Sequence, residues 1–228
     1  MSYLLCIETS TKVCSVALFK NDELIDFEEE DGSYSHAENL AVFIDKVLKR
    51  KSVNYSDLAA VVVSKGPGSY TGLRIGVSLA KGIAYGAQIP LIAIDSLSSL
   101  AWAAIRRHKT EADFFIPMID ARRMEVYAAV YDQKLNQLKE ISADIVEEDT
   151  YAAYLNEGKV CFLGDGAEKC KSTVSHQNAV FIQQKASAKN MGALAFEAFQ
   201  QKRFEDVAYF EPFYLKEFVA IKSKKKLV

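Results

Sequence analysis

The chain has 228 residues, half of them apolar and a quarter charged, with 11 glycines, 4 prolines and a net charge of −2. That apolar mass supports a full core in one or two domains, and it excludes collagenous, disordered and membrane-spanning classes. The near-neutral charge also argues against a broad electrostatic hold on nucleic acid by the chain alone.

The first residues, Met1 to Glu8, lack a basic stretch and meet an acid at Glu8, which argues against a signal peptide. Residues 3–8 and 13–20 read as strands joined by the small polar turn Thr9-Ser10-Thr11-Lys12, and Asn21-Asp22 turns the chain into a third strand over 23–29. Ser35-His36-Ala37-Glu38 is a capping-box pattern. The helix it opens carries Ala37, Leu40, Ala41, Ile44, Val47 and Leu48 on one face, with Val42 and Phe43 off that face. A β-branched strand over 59–64 runs into Gly66-Pro67-Gly68, then a helix over 70–87, a strand over 91–94 and a helix over 96–107. The order is βββαβαβα.

The second half restarts the pattern. Strands are expected over 114–120 and 125–131, around the turn Ala121-Arg122-Arg123, with a third near 137–146. A helix near 149–156 ends at Gly158, a strand follows over 160–163, and a long helix runs from about 188 to 202. The expected fold is α/β, two βββαβα lobes of the duplicated type shared by actin, Hsp70 and sugar kinases. The lobes divide at 1–108 and 109–228, and the second includes a C-terminal segment able to pack back on the first.

In that architecture the first hairpin turn of each lobe faces a phosphate. Glu8, Thr9 and Ser10, with Gly66, Pro67 and Gly68, are therefore the candidate phosphate- or nucleotide-facing residues. The alternatives are an acid capping a tight turn and a plain strand-to-helix connection. No Walker-type Gly-Lys-Ser/Thr follows the glycines. In the second turn, Arg122 and Arg123 could bind an anion, or cross the cleft to Glu8 or another carboxylate and close it.

The four cysteines, Cys6, Cys14, Cys161 and Cys170, show no CxxC spacing, so buried free thiols and a cytoplasmic location are expected. His36, His108 and His176 lie far apart without metal-ligand spacing, so no metal and no cofactor are expected. Gly72, Gly76, Ala80 and Ala84 recur every four residues along one helix face, a smooth stripe for close packing on a sheet or on a partner. Lys222, Lys224, Lys225 and Lys226 form a basic tail, either solvated or touching RNA backbone.

These features resemble the TsaB (YeaZ) family. The matching stretches are Ile7-Glu8-Thr9-Ser10, Ser35-His36-Ala37-Glu38-Asn39-Leu40, the run from Gly66 to Gly76, Asp120-Ala121-Arg122-Arg123 with Glu125-Val126-Tyr127, and Tyr214-Leu215-Lys216 with Val219-Ala220. The resemblance implies a non-catalytic subunit needed for threonylcarbamoylation (t6A) of N6 of adenosine 37 in tRNAs reading ANN codons. Its implied partners are a TsaD-like catalytic paralogue and a TsaE-like ATPase. The chain alone would form a homodimer, tRNA would be met only through the complex, and no membrane is involved.

The catalytic paralogue carries a His-x-x-x-His metal pair where this chain has Ser96 and Leu100, neither of them a good ligand. Glu8 and Lys216 stand where the family usually has Asp and Arg. The expected partner interface is His36, Leu40, Ile44, Leu73, Gly76, Val77 and Lys81 on the two N-lobe helices. The rival readings are a metallopeptidase-like or small-molecule kinase enzyme of the same fold, and a tRNA-binding module acting through the lysine tail.

Overall fold

A computed structural model describes residues 2–32, 36–107 and 111–216. Ser35, His108 and the Lys222–Lys226 tail lie outside the described residues.

The first half forms strands β1 (Tyr3–Glu8), β2 (Val13–Lys20) and β3 (Glu23–Asp31), helix α1 (His36–Arg50), β4 (Leu58–Gly66), α2 (Tyr70–Ala87), β5 (Leu91–Asp95) and α3 (Ser96–Arg107). The second half forms β6 (Phe114–Asp120), β7 (Glu125–Asp132), β8 (Gln137–Ile145), α4 (Ala152–Glu157), β9 (Val160–Leu163), α5 (Ala167–Cys170), β10 (Ala179–Ile182) and α6 (Gly192–Gln200). The two five-stranded sheets have the orders β3-β2-β1-β4-β5 and β8-β7-β6-β9-β10, so the topology is duplicated strand for strand. In each, an antiparallel hairpin meets two parallel strands that need helical crossovers. This is the α/β duplicated-lobe fold expected from the sequence.

Each sheet is covered on both faces, which is why its central strands are apolar throughout rather than alternating. Leu5, Ile7, Val61 and Val63 face α1 and α2, whereas Leu4, Cys6, Ala60 and Val62 face the other way, onto Met191, Ala195 and Ala198 of α6 and its approach. Helix α3 leaves its own half and covers the second sheet, placing Leu97, Leu100 and Ala101 against Phe115, Ile119 and Ala129. The outer face of that sheet is closed by Tyr151, Leu155 and Cys170. Each half thus lends its last helix to the other half's sheet.

Three details differ from the sequence expectation. The buried stripe of α1 is His36, Leu40, Phe43, Ile44, Val47 and Leu48, so Phe43 is interior while Ala37 and Ala41 face out. The helix lies across the β2–β3 hairpin, and Arg50 ties its last turn to Asp26 and Glu28 of β3, which rotates the inward face. The long helix expected over 188–202 begins as a 3-10 turn, Ala188–Asn190, before α6. There the Ala188 N–H bonds Ser15 Oγ at 2.9 Å, and Gly192 presses on the Phe19 ring where a Cβ would come within 2.1 Å. Strand β10 and the one-turn α5 are additions that four-residue periodicity could not reveal.

After α6 the chain runs back along the first half. Glu205 bridges Leu91 at the sheet edge, the Phe213 N–H bonds the Lys65 carbonyl at 2.7 Å, and Tyr214 packs on Tyr70 with centroids 4.7 Å apart. Lys216 then pairs with Glu125 in the second half.

Candidate functional site

Glu8 ends β1 fully buried. Its Oε1 accepts hydrogen bonds from the Ser10 N–H at 2.6 Å and from Ser64 Oγ at 2.8 Å. The glutamate side chain is one methylene longer than an aspartate, and it folds back over its own turn. The glycine turn closes from above: the Ser69 N–H donates to the Ser10 carbonyl at 2.6 Å. A Cβ on Gly68 would lie 2.2 Å from that carbonyl, and one on Gly72 would lie 2.1 Å from the Thr9 carbonyl. Gly66 has φ +108°, open to glycine alone at low cost, and the Gly66–Pro67 peptide is cis.

The structure therefore brings together Glu8, Thr9, Ser10, Gly66, Pro67 and Gly68. They are packed into one another, and the backbone donors of Ser10 and Ser69 are satisfied internally. An anion would have to displace both bonds. Burial raises the Glu8 carboxyl above the usual carboxylate range, outweighing the hydrogen bonds from Ser10, Ser64 and Thr9. Its Oε2, with Thr9 Oγ1 and Ser10 Oγ, is buried without a protein partner.

The second hairpin turn is built differently. Asp120 ends β6, its Oδ1 accepting from the Arg122 N–H at 2.8 Å and from Lys169 Nζ at 2.5 Å. Burial pushes this carboxyl up, but Lys169, the Arg122 N–H and the more distant Lys12 together hold it below the usual range. Arg122 and Arg123 are exposed, and neither guanidinium forms an ion pair among the described residues. The expected crossing of an arginine to Glu8 is not made, because Glu8 is sealed beneath its own turn and bonded to Ser10 and Ser64.

Sequence reasoning also missed Gly164-Asp165-Gly166, the counterpart of the glycine turn. A Cβ on Gly164 would lie 2.2 Å from the Met118 carbonyl, and Asp165 Oδ1 accepts the Asp120 N–H at 3.1 Å. The signal was a Gly-x-Gly directly after an apolar strand.

Ser96 and Leu100 are both buried at the start of α3. No group of three or more His, Cys, Asp or Glu side chains able to hold a metal occurs among the described residues. Asp95 just before them caps α3 by accepting the Ser98 N–H at 2.8 Å. Burial pushes its carboxyl up to about 6, against the pull of the Ser98 N–H and Lys65. All four cysteines are buried free thiols.

The residues expected at a partner interface are largely turned inward. Leu40, Ile44, Leu73 and Val77 are core residues of the first half. His36 is buried too, with Nε2 at 2.9 Å from the Thr11 carbonyl, and a Cβ on Gly76 would meet Thr9 Oγ1 at 2.3 Å. Lys81 is committed to the C-terminal segment, donating to the Ala208 and Phe210 carbonyls at 3.1 and 3.0 Å. The glycine–alanine stripe of α2 thus serves close approach to the chain's own hairpin turn and sheet.

The outward side of the same helix pair carries different residues. A shallow groove of about 520 Å³ lies between Ala37 and Ala41 of α1 and Arg74, Ile75, Ser78 and Leu79 of α2, with His36 and Leu40 at its floor. At Leu79 it continues into a second groove of about 430 Å³ along Gly82, Ile83 and Gly86, walled by Tyr55.

Comparison with known proteins places this architecture. Residues 30–228 match the family model described as TsaD, tRNA N6-adenosine threonylcarbamoyltransferase. The Escherichia coli protein named tRNA threonylcarbamoyladenosine biosynthesis protein TsaB is 30% identical, covering 96% of this chain and 97% of its own length. The Bacillus subtilis protein of the same name is 36% identical over 62% of this chain and 60% of its own. A crystal structure of YeaZ from Pseudomonas aeruginosa superposes with a TM-score of 0.83 at 26% identity, covering 94% of this chain and all of that one. The chain belongs to the TsaB (YeaZ) family.

Proposed function

We propose that this chain is a non-catalytic subunit required for threonylcarbamoylation of N6 of adenosine 37 in tRNAs reading ANN codons. It acts by holding a TsaD-like catalytic paralogue, with a TsaE-like ATPase joining the pair. The observation that carries this reading is a contrast within the first half. The hairpin turn where an active relative would handle phosphate is filled by Glu8, Ser10 and Gly68, while the outer side of α1 and α2 is left as an apolar groove. Small residues and glycines along that groove let a second helix pair approach closely. A paralogue with the same lobes would present the matching pair and give a pseudo-symmetric interface, and in its absence a second copy of this chain would take the place. No helix among the described residues is long and apolar enough to cross a membrane, in keeping with a cytoplasmic site of action.

Reconstitution tests the reading. Unmodified tRNA is incubated with the chain, the paralogue, the ATPase and the threonylcarbamoyl donor, and nucleosides are read by mass spectrometry. The modified nucleoside is expected only when the chain and the paralogue are both present. Product from the chain without the paralogue, or full product without the chain, overturns it.

A further inference from the structure

The second hairpin turn contains two successive arginines in the left-handed region, Arg122 at φ 72° and Arg123 at φ 48°. Glycine or asparagine adopts that backbone at lower cost, so arginine at both places needs another reason. The carboxylates beside the turn are engaged: Asp120 by Lys169 and the Arg122 N–H, Glu125 by Lys216. The guanidinium groups are left exposed and without an ion pair among the described residues.

The opposite turn adds to the same patch. Lys12 is the last residue of the first hairpin turn, exposed, and near enough for its charge to act on Asp120 and Asp165 across the cleft. Lys12, Arg122, Arg123, Lys169 and Lys216 therefore outnumber Asp120, Glu125 and Asp165 at the cleft mouth. This local excess is positive although the chain as a whole is at −2.

We propose that Lys12, Arg122 and Arg123 form a contact for the phosphate backbone of RNA at the mouth of the cleft. The assignment of that RNA to tRNA rests on the function proposed above. Guanidinium groups present a planar fork that matches phosphate oxygens in pairs, and the surrounding ion pairs fix the turn that carries them. Such contacts position an RNA without reading its sequence, and they weaken steeply with salt. An acidic protein surface is the competing occupant, and the test separates the two.

Binding of a fluorescent, unmodified tRNA transcript is measured at several salt concentrations, with the full-length chain mixed with its catalytic paralogue. The variants are the pair Arg122→Gln/Arg123→Gln, Lys12→Gln, the pair Arg122→Lys/Arg123→Lys, and a chain with the tail lysines Lys222, Lys224, Lys225 and Lys226 replaced by glutamine. The glutamine pair is expected to weaken binding by about tenfold and to flatten the log–log salt slope by about 2, with Lys12→Gln contributing about 1. The lysine pair should retain most of the affinity, and co-purification with the paralogue should be unchanged in all. Unchanged affinity and slope in the glutamine pair overturns the proposal, as does a loss confined to the tail variant, or no tRNA binding by the mixture. Loss of co-purification in the glutamine pair with RNA binding intact makes the patch a protein contact and also overturns it. If the wild-type chain fails to co-purify, the subunit role falls instead, and the same variants titrated on the chain alone decide the patch.

Discussion

The two hairpin turns occupy equivalent places in a duplicated topology, yet one is sealed and the other is open. In the first, Glu8, Thr9 and Ser10 are wholly buried beneath Gly68, Gly72 and Gly76, with their main-chain groups committed to one another. In the second, Asp120 is held by Lys169 while Arg122 and Arg123 project into solvent. The backbone plan is common to both halves, so side chains alone make the difference. Three glycines let one turn be buried by its own helix, and two arginines keep the other at the surface.

The sealing of the first turn is the part most easily broken. A Cβ at Gly72 would sit 2.1 Å from the Thr9 carbonyl, a backbone atom with little room to move. Gly72→Ala is expected to cost about 3 kcal/mol in chemical denaturation, near the upper end for overpacking. On the same helix nothing lies within 4 Å of a Cβ on Gly82, where alanine should be neutral or gain about 0.5–1 kcal/mol. Equal losses at both sites would mean that the turn is not pressed against α2.

Glu8 offers a second, pH-dependent way to sharpen the contrast. Its folded-state carboxyl is raised by burial above the ordinary value of 4.5, so the folded protein holds this proton more tightly than the unfolded chain. Stability from this group is full below about 4.5 and is lost as pH rises through the folded value. Glu8→Gln keeps the acceptor for Ser10 and Ser64 and removes the charge. It should exceed the wild type by about 1–3 kcal/mol in alkaline buffer and match it in acid. Parallel stability curves across pH would show that Glu8 is not a sealed, unpaired acid.

Smaller effects belong to the C-terminal segment. Lys81→Met removes both donors to the Ala208 and Phe210 carbonyls and should cost about 1–2 kcal/mol, read as a lower thermal midpoint. Lys216→Ala breaks a partly exposed pair with Glu125 and should cost under about 1 kcal/mol, less at high salt.

Much of the fold was legible because strong periodicity and sharp turns coincide. The bounds of β1, β2, α2, α3, β6 and β9 follow directly from apolar runs bracketed by Gly, Pro and small polar residues. The one-turn α5 and the four-residue β10 carry too few residues for any period to register. The site residues illustrate a different limit. A stripe such as Gly72, Gly76, Ala80 and Ala84 signals close approach but not what approaches, and here Thr9 and the sheet fill it. An apolar helix face likewise looks the same whether it meets its own sheet or a partner, so Leu40, Ile44 and Val77 were assigned outward and lie inward. The orphaned oxygens around Glu8 had no sequence signal, since they arise from the way β1, the glycine turn and α2 close on each other.

The central claim is that the outward groove between α1 and α2, rather than the sealed turn, is the working surface of this chain. The most direct measurement is the affinity of the purified chain for its catalytic paralogue, comparing wild type with the pair Ile75→Glu/Leu79→Glu, alongside thermal unfolding of each. The account predicts that binding is lost by at least about a hundredfold while the unfolding midpoint of the isolated chain stays within a few degrees. Undiminished affinity in a folded double variant would contradict it.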